Sequence, residues 1–185
     1  MESVVCLGAQ GVEDQSLVLV RGCSGSGKRS LVKRWLKHCK RVDADPVAYG
    51  ENHSFDNLEG DSLVFRRAAR WALDAAASHL AAGDSVAVSI SLLAEKSLLP
   101  WLRLAERRRA RFAVIECHGE FENLHGLPAH YIAQQRAAFE PAETLSRAGI
   151  PVLFAEEIAD QRALAGAPIR VEKKWLTDLG SRLGQ

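Results

Sequence analysis

Apolar runs of strand length alternate along this chain with longer stretches of helical period, as strand–helix–strand units around a parallel sheet would. Leu17, Val18, Leu19 and Val20 are apolar without alternation, which suits a strand covered on both faces. A Gly/Ser-rich break follows. Residues 28–40 then predict a helix on which Leu31, Val32, Trp35 and Leu36 form one apolar stripe, with Lys33, Arg34, Lys37 and Lys40 largely off it. Residues 41–45 predict a short second strand, and the polar stretch 47–61 predicts an exposed loop. An Ala-rich helix is expected over 63–82, closed by Gly83 and Asp84. Strands follow at 86–90 and 112–115, around a helix at 98–110 that tolerates Pro100 in its first turn. Short helices are expected at 129–139 and 142–148, and a last helix at 172–183. A fifth strand at 150–154 contains Pro151, which favours an edge position.

This order predicts an α/β fold with a mainly parallel central sheet of about five strands in a three-layer sandwich. The length, 185 residues, suits one domain over 1–185, with 1–16 as an N-terminal extension and 155–185 as a C-terminal tail. A net charge of +1 means that the field of the whole molecule selects neither for nor against nucleic acid. Cys6, Cys23, Cys39 and Cys117 have no CxxC spacing, so neither a disulfide framework nor a zinc site is expected. His118, His125 and His130 beside Cys117 match no zinc pattern either. The acidic N-terminus is unlike a signal peptide, and no stretch approaches the roughly 20 apolar residues of a membrane span. A cytoplasmic protein with no membrane partner is expected.

The break after the first strand carries the candidate chemistry. Gly22-Cys23-Ser24-Gly25-Ser26-Gly27-Lys28 obeys the P-loop rule of Gly, four residues, Gly, Lys, between an apolar strand and an amphipathic helix. The glycines let backbone N–H groups curl around phosphate oxygens, the helix start adds its positive dipole end, and Lys28 reaches the outer phosphates. The predicted fold is therefore of the P-loop NTPase type, and the predicted ligand is ATP or another nucleoside triphosphate. Residues Gly22 to Lys28, with Arg29 and Ser30, are the candidate nucleotide-binding positions. A P-loop normally places Ser or Thr directly after the lysine to hold Mg²⁺. Here Arg29 stands there and the hydroxyl follows only at Ser30. Arg29 cannot ligate a metal but can pair with phosphate. No residue is assigned as a metal ligand, and Mg²⁺ is expected only if the domain is catalytic.

From about residue 17 to 141 the chain resembles the polynucleotide kinase-like P-loop kinases, including the kinase domain of phage-type polynucleotide 5′-hydroxyl kinases. The corresponding stretches are Gly22 to Ser30, Asp43-Ala44-Asp45-Pro46, Ser89-Ile90-Ser91-Leu92, His125-Gly126-Leu127-Pro128, and the close Phe139-Glu140-Pro141. The resemblance implies that Asp45 is the general base on the acceptor hydroxyl, with Asp43 as a fallback. Read on its own, Asp45 is equally a turn or cap residue before Pro46. The chain departs from the family where Ser89 replaces a strand-end aspartate, Ile90 and Leu92 replace two asparagines, and Glu122 and Ala138 replace lid arginines. Arg136 is a nearby substitute for the lid cation.

Two readings follow. In the first, the protein is an ATP-dependent kinase acting on a hydroxyl of a polynucleotide, nucleoside or modified DNA base, with Lys28, Asp45 and Arg136 as catalytic residues. In the second, it is a catalytically reduced module that binds nucleotide or nucleic acid and acts through a partner protein. The run Arg103, Arg107, Arg108, Arg109 and Arg111 is either a groove for a phosphate backbone or a solvated helix face partly neutralised by Glu106.

Overall fold

The computed structural model describes residues 15–50, 55, 58–59, 61–121, 125–158, 164 and 166–183. Five strands form a parallel sheet: β1 (Ser16–Gly22), β2 (Lys40–Asp43), β3 (Val86–Ile90), β4 (Arg111–Cys117) and β5 (Val152–Phe154), in the order β2-β3-β1-β4-β5. A two-residue strand, β6 (Ile169–Arg170), pairs antiparallel with the start of β4. The α/β prediction with about five parallel strands holds, and β5 lies at an edge as Pro151 requires.

Strand β1 shows why the sheet has helices on both sides. Leu17 and Leu19 enter one buried cluster, while Val18 and Val20 enter another on the opposite face. The first cluster lies under α3 (Ser62–Ala81), α4 (Leu99–Arg108) and the C-terminal helix, numbered α7 here (Lys173–Arg182). The second lies under α1 (Lys28–Trp35). Shorter helices α2 (Asp45–Ala48), α5 (Ala129–Ala137) and α6 (Glu143–Arg147) edge the site. None of the described helices is long and apolar enough to cross a membrane.

Helix α3 approaches closely because Ala68, Ala72, Ala76 and Leu80, each four residues apart, make its buried face. Ala76 is fully buried. Ala76→Leu is expected to cost about 1–3 kcal/mol by overpacking, read as a lowered urea midpoint with an unchanged slope.

Some boundaries differ from the sequence reading. The first helix ends at Trp35 rather than near residue 40, because Leu36 leaves helical geometry and Cys39 turns back to hydrogen-bond its carbonyl. Lys40 is then free to donate to Ser85 and open β2. That strand stops at Asp43, and Asp45 begins α2, where Pro46 sits in a first turn that needs no N–H. The loop expected to be exposed over 47–61 buries Phe55 in an aromatic cluster with Tyr49, Phe65 and Tyr131. The tail covers both faces: Val171 and Leu179 join one core cluster, Ile158 and Leu164 the other.

The arginine run lies at the far end of the sheet. Arg111 is level with Ser16 in the register, whereas Gly22, where the phosphate loop begins, is level with Cys117. Six residues of parallel strand separate those levels by roughly 20 Å. Arg109, in the left-handed region at φ 54°, closes α4 there.

Candidate active site

Parallel strands bring their carboxyl ends to one edge, and the chain turns to opposite sides of β1, opening a crevice at its end. Gly22 ends β1 at that crevice. A Cβ on Gly22 would sit 2.4 Å from the Cys117 carbonyl oxygen and 2.5 Å from Ser26 Oγ, so the loop passes β4 only as glycine. Gly27 enters α1 at φ 91°, with the Phe121 ring 2.8 Å from where its Cβ would be. Gly22→Ala is therefore expected to displace the loop and abolish nucleotide binding, which isothermal titration of ATP would show. No side chain caps α1, so its first N–H groups remain directed at the cradle. The Ser24 and Ser26 hydroxyls are buried without a hydrogen-bond partner among the described residues. Unpaired donors around a glycine loop suit an oxyanion ligand.

Lys28 is buried. Its Nζ donates to the Gly22 carbonyl at 3.0 Å, the Cys23 carbonyl at 2.8 Å and Ser91 Oγ at 3.2 Å, and lies 3.0 Å from Asp45 Oδ2. The Ser91 N–H holds the other carboxylate oxygen of Asp45 at 3.1 Å. Lys28 and Asp45, both candidates from the sequence, are thus brought together. A second pair runs alongside: Arg29 Nε donates to Asp43 Oδ2 at 2.5 Å, and the Ser89 hydroxyl donates to Asp43 Oδ1 at 3.4 Å. A cavity of about 450 Å³ extends from the loop past Arg29, Ser30, Arg34 and Trp35 to Ala155 and Glu156.

Arg136 does not join Lys28. It lies on the last turn of α5, half-exposed, paired with Glu120 at 2.9 Å. Its charge still acts on the loop, because it helps Lys28 oppose the rise that burial imposes on the Cys23 thiol pKa. Burial pushes the His125 pKa down and Asp45 opposes that shift, so the ring is neutral at pH 7. Glu122 and Asn123 lie outside the described residues.

Four residues of the site escaped the sequence reading. Gln135 is fully buried; its Oε1 accepts the Ser24 N–H at 2.8 Å, and its Nε2 donates to the Tyr49 hydroxyl at 2.7 Å. Phe121 donates its N–H to the Gly25 carbonyl at 2.8 Å. Ser91, two residues beyond the serine aligned with the strand-end aspartate, is the one that meets Lys28. Nothing local marks Ser91, Gln135, Tyr49 or Phe121 as site residues.

The close Phe139-Glu140-Pro141 is bolted to the sheet from below the site. Arg21, fully buried on β1, donates to the carbonyls of Leu92 at 3.0 Å and of Leu93 and Glu140 at 2.7 Å each. Its guanidinium lies over the Phe139 ring, 4.4 Å from the centroid. Arg21 Nη1 is 3.4 Å from Glu116 Oε1, which also accepts the Ala142 N–H at 2.8 Å.

The sheet order and the glycine loop are those of a P-loop kinase-type α/β fold. Three solved structures that the chain resembles are described as kinases. A proposed kinase from Chloroflexus aurantiacus is 15% identical, with 89% of this chain and 97% of that chain covered and a TM-score of 0.55. A gluconokinase from Sinorhizobium meliloti is 18% identical, with 91% and 95% covered and a TM-score of 0.51. A shikimate kinase from Acinetobacter baumannii, in complex with shikimate, is 14% identical, with 94% and 97% covered and a TM-score of 0.50. At such identities the likeness is one of fold and names no acceptor. No protein-family model matches the sequence, and no curated protein matches it.

Kinases of this fold work with Mg²⁺, but the donor set here does not fit a protein-held divalent ion. Arg29, a cation without a lone pair, stands in the hydroxyl ligand's place, and the Ser89 hydroxyl, at the strand-end carboxylate's place, is turned to Asp43. Asp43 and Asp45 are committed to Arg29 and Lys28. Among the described residues, no group of three or more His, Cys, Asp or Glu side chains gathers where a metal would bind.

Proposed function

We propose that this domain transfers the terminal phosphoryl group of ATP or another nucleoside triphosphate to a hydroxyl acceptor. The observation that carries the reading is the buried pairing of the loop lysine, Lys28, with Asp45 at the carboxyl edge of the sheet. Phosphate oxygens entering the cradle compete with Asp45 for Lys28. Once Lys28 moves to them, Asp45 Oδ2 is released while the Ser91 N–H keeps the carboxylate in place. That carboxylate accepts the acceptor's hydroxyl proton as the acceptor oxygen bonds to the γ-phosphorus. The bond from that phosphorus to the bridging oxygen breaks, leaving a nucleoside diphosphate and a phosphate monoester. Arg29, after exchanging Asp43 for phosphate, and Arg136, from the lid helix α5, contribute positive charge to the transferring group. The resemblance to polynucleotide kinase-like enzymes supports an acceptor among polynucleotides, nucleosides and modified bases.

The test is transfer of label from γ-labelled ATP to a panel of hydroxyl acceptors. Lys28→Ala is expected to lower turnover by about 10²–10³-fold or more, as loss of one transition-state donor does. Undiminished transfer in that variant would overturn the reading. A second reading is favoured by the Arg29–Asp43 pair in the metal-ligand place: a nucleotide-binding module without transfer, acting through a partner protein. ATP binding with no turnover on any acceptor selects it.

A further inference from the structure

A second cavity, of about 480 Å³, lies between α3, α4 and the turn after β3. It meets the candidate site at Ser91, which lines it and whose Oγ and N–H contact Lys28 and Asp45. One wall is Phe65, Ala69 and Leu73, spaced four residues apart on α3; facing it are Leu92, Leu93 and Trp101. We propose that this groove holds the acceptor, and that the acceptor is a single aromatic or comparably apolar ring system bearing one anionic group. The proposal rests on the phosphoryl-transfer reading above.

Three observations select this chemistry. The lining is mainly apolar, and its volume suits one small molecule lying in an open groove. The carbonyls of the turn are already spent, since Leu92 O and Leu93 O accept from Arg21, and Leu93 O also accepts the Glu140 N–H. Of the polar side chains in the lining, Ser91 is bound to Lys28 and Arg70 to Asp74, so a polyol would find only Ser62, Ser97 and Arg66 as partners and most of its hydroxyls would lie against apolar surface. Positive charge sits on one side: Arg66 has no partner among the described residues, whereas Arg70, one turn on, is paired with Asp74 at 3.1 Å. One free guanidinium matches one anionic group. The arginine run that would guide a nucleic-acid strand is at the other end of the sheet.

The probe is 8-anilinonaphthalene-1-sulfonate, a fused aromatic body with one sulfonate, followed by its fluorescence on the full chain. Ala69→Phe fills the groove from α3, and Arg66→Ala removes the exposed guanidinium without touching the core. Each is expected to weaken probe binding by about tenfold or more, with ATP affinity and circular dichroism unchanged. Labelled transfer should then favour anionic aromatic alcohols over polyols and 5′-hydroxyl oligonucleotides. Both variants should raise KM for that acceptor by a similar factor at unchanged KM for ATP. Transfer to a polyol or an oligonucleotide, insensitive to both substitutions, overturns the inference and leaves phosphoryl transfer standing. Probe binding unaffected by either substitution overturns it whatever the transfer assay gives, and Arg66→Ala decides alone if Ala69→Phe misfolds. Transfer to no acceptor, with the probe displaced by both substitutions and ATP bound, overturns the phosphoryl-transfer reading and with it the acceptor role, while leaving the groove as a site for an anionic aromatic ligand.

Discussion

Asp45→Asn is expected to lower phosphoryl transfer by about 10²–10⁴-fold while ATP binds more tightly than to the parent protein. The two effects have opposite signs because Asp45 has two roles in the proposed cycle. Before nucleotide binds, its Oδ2 holds Lys28 at 3.0 Å, so a phosphate must displace it. Asparagine keeps the Ser91 N–H contact through its carbonyl oxygen and turns an NH2 donor, which cannot accept from an ammonium, toward Lys28, so the competition is lost. After nucleotide binds, the carboxylate is the proton acceptor, and asparagine cannot act as one. A residue serving only to cap α2 moves neither quantity in this pattern. A purely structural partner of Lys28 loses affinity and turnover together. Titration calorimetry for ATP and single-turnover transfer measure the two separately. Lys28→Ala is the counterpart in which both fall. Equal loss of affinity and rate in Asp45→Asn would overturn the role proposed for Asp45.

That two-sided role was only half legible in the sequence. The cradle could be read because its chemistry is local: glycines at fixed spacing, a strand before and a helix after. Asp45 could be placed near the crevice as the end of a short predicted strand over 41–45, although the strand stops at Asp43 and Asp45 opens a helix. Ser91, Gln135, Tyr49 and Phe121 became site residues only through pairings far apart in the chain, such as the Ser24–Gln135 bond across 111 positions. Period-based reading has no access to such contacts. The same limit explains the overlong first helix, where the apolar stripe includes Leu36, although Leu36 and Cys39 are buried in a turn. It explains β6 too, since two residues cannot show a period. The strands were the most legible part. Those buried on both faces are continuous apolar runs bounded by polar or glycine residues, as at residues 17–20.

Glu116→Ala is expected to cost about 3–5 kcal/mol of folding stability, as breaking a buried ion pair does. Arg21 and Glu116 are both fully excluded from solvent, side by side on neighbouring central strands. Burial already pushes the Arg21 pKa down, and the carboxylate of Glu116 is the leading influence that opposes this. Without it, a guanidinium remains in the core with carbonyl partners and the Phe139 face but only the weaker influences of Glu95 and Glu140 as counter-charge. The double variant Arg21→Met, Glu116→Leu removes both charges, so it should recover much of that loss. Recovery should stop short of the parent, because the Ala142 N–H and the Leu92 and Glu140 carbonyls lose their partners in the double variant, and a buried group left unpaired costs about 1–3 kcal/mol. Urea unfolding at pH 7 gives the three stabilities. If the double variant is no more stable than Glu116→Ala, the uncompensated charge is not the cause of the loss. The same variant reports on function, because Arg21 carries the carbonyls of Leu92 and Leu93 that shape the turn beside Ser91. Releasing them should raise the acceptor KM while ATP affinity, set on the far side of Lys28, stays near its parent value.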